Sequence, residues 1–149
     1  MLKDTINADL KTAMLSGDKT RVEVLKMLKS ALLYKEVELG VRDSGLTEDQ
    51  AIEVLTKEAK KRQDAAEMYQ KVGNNVKAEA ELSEQAVTRQ YLPAQMSDED
   101  LTTIVDQVLA SSGEVSMKDM GRIIGAVKVT VGNTADGSRI SMIVKQKLV

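Results

Sequence analysis

The chain has 149 residues, a formal net charge of −2, 42% hydrophobic residues and only 2% aromatic ones. It has neither cysteine nor histidine, which excludes thiol nucleophiles, Ser-His and Cys-His catalysis, and the Glu-x-x-His pairs of di-iron bundles. No apolar run approaches the ~20 residues of a membrane span, and the start of the chain, with Asp4 and Asp9, lacks a signal-peptide core. A cytoplasmic protein without metal or cofactor is the expectation.

A single proline and the lack of alternating β-branched runs predict an all-α protein. Leu2, Ile6, Leu10 and Met14 keep helical spacing and define a first helix that ends at Ser16-Gly17. Asp18 can cap a second helix over 19–39, which is apolar around much of its girth and so should contact neighbours on more than one side. Arg21, Lys26, Lys29 and Lys35 emerge on its remaining strip, diluted by Glu23, Glu36 and Glu38, and read as a solvated face.

Thr47 and Gln50 form a capping box that opens a long third helix running to residue 72. Arg62 falls inside its apolar stripe, which calls for snorkelling or for an acid across an interface. Lys57, Lys60 and Lys61 have Glu53, Glu58 and Asp64 at pairing distance along the helix, so they read as solvated. Gly73-Asn74-Asn75 turns the chain into a fourth helix over 76–91 with Asn75 as its cap, completing a hairpin. The small residues Ala78, Ala80 and Ala86 suit a closely packed partner.

Leu92-Pro93 is the strongest boundary, because proline disfavours helical geometry in the residue before it. It suggests an N-terminal helical domain over 1–92 and a C-terminal three-helix domain over 97–149. Ser97 caps a fifth helix whose first turn carries Asp98, Glu99 and Asp100, placed to oppose the helix dipole. Those acids need no catalytic explanation.

Two further helices follow, one with Met120, Ile123, Ile124, Val127 and Val131, the other with Ile140, Ile143, Val144 and Leu148. Ser116 with Asp119 can cap the first, and Asp136 the second. Gly121 and Gly125 sit inside a helix at about 0.5–1 kcal/mol each relative to alanine, so something must need the missing side chains. A neighbouring helix packed against them is the simpler reading; a nucleic-acid backbone is the alternative. Lys118, Arg122, Lys128, Arg139, Lys145 and Lys147 face only Asp119 and Asp136 in the stretch 116–148. By charge pattern alone they form a solvated face, and as candidates they form a weak anion-binding surface.

The segments KTRVEVLKMLKSALLYKEVEL, KEAKKRQDAAEMY, YLPAQMSDEDL, MKDMGRIIGAV, the later Ala135-Asp136-Gly137 and the closing IVKQKL resemble the GatB/YqeY family. That family joins small bacterial YqeY-like proteins to the tail of an aminoacyl-tRNA amidotransferase subunit. The resemblance implies an N-terminal helical domain with a long hairpin and a C-terminal three-helix bundle. In the amidotransferase the similar tail helps hold tRNA, and a similar module is appended to some glutaminyl-tRNA synthetases. One departure stands out: Asn133-Thr134 occupies the place where the family often has a glycine and a basic residue. Asparagine can still adopt a left-handed turn, but a basic contact is missing.

Three functions therefore compete. The first is an accessory protein that binds tRNA through the C-terminal bundle. The second is an interaction module that docks on a synthetase or amidotransferase. The third, a glutamine-dependent carbon–nitrogen ligase, is what the family label implies. It finds no activated nucleophile, Gly-x-Ser-x-Gly or phosphate loop here, and reads as inherited from the larger amidotransferase.

Overall fold

The computed structural model describes residues 1–149 and contains seven α-helices and no strand. They are α1 (Leu2–Ser16), α2 (Lys19–Leu39), α3 (Glu48–Lys71), α4 (Asn75–Arg89), α5 (Asp98–Ser111), α6 (Met120–Val131) and α7 (Gly137–Leu148), with 3₁₀ turns at Met117–Asp119 and Gly132–Thr134. The protein is all-α, and no helix is long and apolar enough to cross a membrane. The chain forms two compact units, Met1–Leu92 and Pro93–Val149.

In the first unit α1 turns Leu2, Ile6, Leu10 and Ala13 inward against Val24, Leu25, Leu28 and Leu32 of α2, with Ala51 and Leu55 of α3 completing the core. Gly17, at φ 74°, ends α1 in the left-handed region that favours glycine. The Asp18 side chain accepts the Arg21 N–H at 3.1 Å and starts α2 at the next residue, Lys19. Thr47 and Gln50 exchange both bonds of the capping box at the head of α3.

Helix α2 contacts α1, α3 and α4, as its wide apolar girth requires. Its buried stripe nevertheless runs Val24, Leu25, Leu28, Leu32, Glu36, while Leu33 and Val37 stay exposed. Helical period decides this: position 36 lies one turn beyond Leu32 on the covered side, so a carboxylate enters the core where a count of apolar residues would put valine. Lys3 of α1 reaches both of its oxygens, at 2.7 and 3.0 Å.

The hairpin of α3 and α4 buries the small residues Ala59, Ala66 and Ala78. Its register is locked by polar bonds. Gln85 donates through Nε2 to the Ala59 carbonyl at 3.0 Å inside the interface. Arg62 takes the acid-partner option: its guanidinium lies 3.3 Å from Glu81 and 3.4 Å from Glu84 of α4, and it also touches the Met27 sulfur. Asn74, not Asn75, caps α4, accepting the Lys77 N–H at 3.2 Å, because Gly73 reverses the chain one residue earlier than the spacing suggests. The helix also stops at Arg89; the N–H groups of Gln90, Tyr91 and Leu92 then bond to Val87, Thr88 and Arg89, tightening the last turn ahead of Pro93.

Tyr91 closes the unit. Its hydroxyl donates to Asp9 of α1 at 2.6 Å and accepts from Arg21 of α2 at 3.0 Å, while Arg21 also donates to Gln90 at 2.7 Å. Burial, and then the bond to Asp9, push the Tyr91 phenol up to about 12. A phenol raised in the folded state contributes stability that is whole below its unfolded value, near 10, and lost as pH rises through the folded one. The parent should therefore lose more stability between pH 10 and 12 than Tyr91→Phe, measured by urea denaturation of both across that range.

In the second unit Leu101 and Val105 of α5, Ile123, Val127 and Val131 of α6, and Ile140, Ile143 and Val144 of α7 form the core. Ser97 caps α5 by accepting the Asp100 N–H, and Asp136 caps α7 by accepting the Arg139 N–H at 2.8 Å. The segment after Pro93 is tied down by Met96, whose N–H donates to the Thr134 carbonyl at 2.7 Å, and by Gln95, which donates to the Asn133 carbonyl. The left-handed conformation expected of Asn133 falls instead on Gly132, at φ 57° and ψ −129°. Since Met96 is bonded and residues 93–95 are exposed, limited proteolysis should open the chain within 92–95; first cuts inside α5 or at 40–45 would contradict this.

Candidate interaction surface

Helix α5 changes the electrostatics of the six candidate cations. Arg139 donates through Nη2 to the Met96 carbonyl at 2.6 Å and to Asp98 at 2.7 Å, and through Nε to Asp98 at 3.2 Å. Lys147 lies 3.1 Å from Asp106. Lys128 donates to the Ala135 carbonyl at 2.9 Å, and Arg122 stands 3.5 Å from Asp119. Lys118 and Lys145 are exposed and make no ion pair. With Asp98, Glu99, Asp100, Asp106, Glu114, Asp119 and Asp136 against those six bases, residues 93–149 carry a net charge of −1. The positive excess of the stretch 116–148 is a property of that stretch and does not extend to the folded unit.

The same bonds explain the Ala135-Asp136-Gly137 turn. Ala135 is buried at 1% exposure and offers its carbonyl to Lys128, Asp136 caps, and Gly137 is the first residue of α7. All three act within the fold. The N-terminal end of α6 is similarly prepared: the Ser116 N–H donates to Asp119 at 2.9 Å. That bond first, with Arg122 assisting, holds the Asp119 carboxyl below its ordinary value. The acid partners of Arg139 and Lys147 carry no sequence signal, since each lies 41 residues away.

Gly121 and Gly125 require a correction. A Cβ added at either would meet nothing within 4 Å, so no helix packs on them. Ile123, Val127 and Val131 take the inward side of α6, and the two glycines fall with Arg122 and Val129 on the opposite side, in line with Lys118 of the preceding turn. Val129 is 88% exposed. The result is an outward face with a backbone laid bare at its centre, two cations at its N-terminal end and an apolar residue beyond. No group of acids is placed to hold a metal ion.

A family model described as Yqey-like protein matches residues 3–148. The chain belongs to the YqeY-like family. The match runs through both compact units, so α1 to α4 are as much a part of the family's pattern as the glycine-bearing helix. No curated protein matches the chain.

Two outcomes follow for stability. Gly121→Ala and Gly125→Ala should each raise the stability of the second unit by about 0.5–1 kcal/mol, because a helical glycine without a steric reason is replaced by the best helix former; a loss on calorimetric melting would mean that the face is packed. Arg139→Ala should cost about 1–3 kcal/mol through its lost charge-assisted bonds, whereas Lys145→Ala should stay within about 0.5 kcal/mol of the parent.

Proposed function

We propose that this YqeY-like chain is an accessory of tRNA aminoacylation or transamidation, and that it holds tRNA against the outward face of α6. The observation that carries the reading is the pair Gly121 and Gly125, open to solvent on the side that presents Lys118 and Arg122. Two helical glycines without an internal packing role let a sugar-phosphate backbone come close to the helix, and the flanking cations supply the attraction that positions it. The amidotransferase tail that this bundle resembles points to tRNA as the nucleic acid.

With Lys118 unpaired and Arg122 standing 3.5 Å from Asp119, the contact is weak and dependent on salt. Two to three neutralised phosphates give a slope of log K on log salt of about −2 to −3 for duplex-like RNA, since each releases condensed counterions. Titration of tRNA by fluorescence anisotropy, starting at about 50 mM salt where such contacts are strong, should return that slope. Lys118→Ala with Arg122→Ala should flatten it by about two units, and Gly125→Leu should weaken binding while the protein remains folded. The triple variant at Lys57, Lys60 and Lys61 should change little, since Lys57 and Lys61 already pair with Glu53 and Glu58.

A second reading is favoured by the net charge of −1 and by Val129: the face docks a helix of a synthetase or amidotransferase and makes no RNA contact. Absence of tRNA binding by the parent at about 50 mM salt would move the assignment to that reading.

A further inference from the structure

The first unit holds a cavity of about 300 Å³ between the start of α1, the end of α2 and residues 42–51, the lower end of the range for small-molecule sites. Its floor is built from Leu2, Leu32, Leu46 and Ala51, all buried. Glu36 opens into that floor at 1% exposure, and its carboxylate receives only the Lys3 ammonium. A carboxylate offers about four acceptor positions, so about half of its capacity is unused. Gly45 leaves room beside it: a Cβ there would stand 4.0 Å from Glu36 Oε1.

The rim is acidic. Asp4, Asp43 and Glu48 are exposed around the mouth with Lys3 and Arg42. Glu48 is already engaged by the Leu2 N–H at 3.1 Å, while Asp4, Asp43 and Arg42 form no ion pair. With Glu36 the side chains of the lining carry four acids against two bases, and the Met1 amino group adds a third cation. An apolar floor holding one buried carboxylate, under a rim holding further carboxylates, matches a ligand with a methylene body and a cationic group at each end. The geometry points to a binding site for a small aliphatic diamine, one ammonium on Glu36 alongside or in place of Lys3, the methylenes on the leucines, and the second ammonium at Asp4 and Asp43. The pair with Lys3 ties α1 to α2, and the acceptor positions it leaves unused on Glu36 are the ones a ligand ammonium would take.

The probe is butane-1,4-diamine, titrated at millimolar concentration into the full chain and followed by the methyl resonances of Leu32 and Leu46, with 1-aminobutane and 4-aminobutanoate as comparisons. The diamine should shift both methyls saturably and bind more tightly than the monoamine, and 4-aminobutanoate should bind worst. Glu36→Gln, a neutral isostere, should weaken the diamine about tenfold or more, as expected for loss of a charge-assisted bond. Asp4→Asn with Asp43→Asn, both on the exposed rim where folding is not at stake, should abolish the advantage of diamine over monoamine. Equal binding by the parent and both variants would mean adsorption to a net-negative protein and would overturn the site. Leu32 and Leu46 methyls that stay still at saturating diamine would overturn it as well.

Discussion

Lys3, Arg21, Arg62, Arg139 and Lys147 join this protein's own helices. With three tyrosines and no other aromatic residue, the two cores are filled by aliphatic side chains, and apolar packing alone leaves helix register weakly specified. Polar bonds across helices supply it: Lys3 on Glu36 between α1 and α2, Arg62 on Glu81 and Glu84 between α3 and α4, Tyr91 and Arg21 on Asp9 at the end of α4, Arg139 on Asp98 between α7 and α5. Each of these groups has one position from which its partner can be reached, so a slip by one residue breaks the bond while the aliphatic contacts would merely rearrange. The surface electrostatics depend on the same arrangement, because a cation that joins two helices is no longer offered to an anion outside.

What could be read directly was local. Asp18, Thr47 with Gln50, Ser97 and Asp136 each cap the helix they precede, since capping acts over three residues and needs no knowledge of the rest of the fold. The seven helices follow from the same short-range periodicity, and so do most inward positions, though in α1 Ala13 takes the inward place that the spacing gives Met14, which is exposed. What escaped was set by distance. Asp98 read as one of three acids opposing the helix dipole, and only packing of α5 against α7 brings it to Arg139 and Asp106 to Lys147. Glu36 read as one of three acids diluting a lysine strip, yet its angular position sends it into the core, and Glu38 pairs with Lys35 at 2.8 Å. The remaining boundary shifts, Asn74 for Asn75 and Gly132 for Asn133, come from glycine: it takes the left-handed conformation first and moves the cap or the turn by one residue.

The glycines of α6 show how a sound local argument meets a fact it cannot see. Their cost to the helix is real and demanded a reason, and internal packing was the simplest one. Open space beyond both positions removes that reason, and a partner outside the molecule is the one we propose in its place. With Arg139, Lys128 and Lys147 bonded inside the unit, the outward side of α6 is where bare backbone, cations and an apolar residue coincide. Family membership across residues 3–148 supplies the kind of protein, and this face supplies the place where a partner can approach.

A residue-resolved footprint distinguishes a partner held on α6 from one held elsewhere on the surface. Amide resonances of the ¹⁵N-labelled chain should be followed as tRNA is added at low salt. If the account is right, Gly121, Arg122, Gly125 and Val129 shift or broaden first, while the amides of Arg139, Lys128 and Lys147 follow weakly. Perturbations centred on the hairpin of α3 and α4, or spread evenly over every exposed lysine, would contradict it.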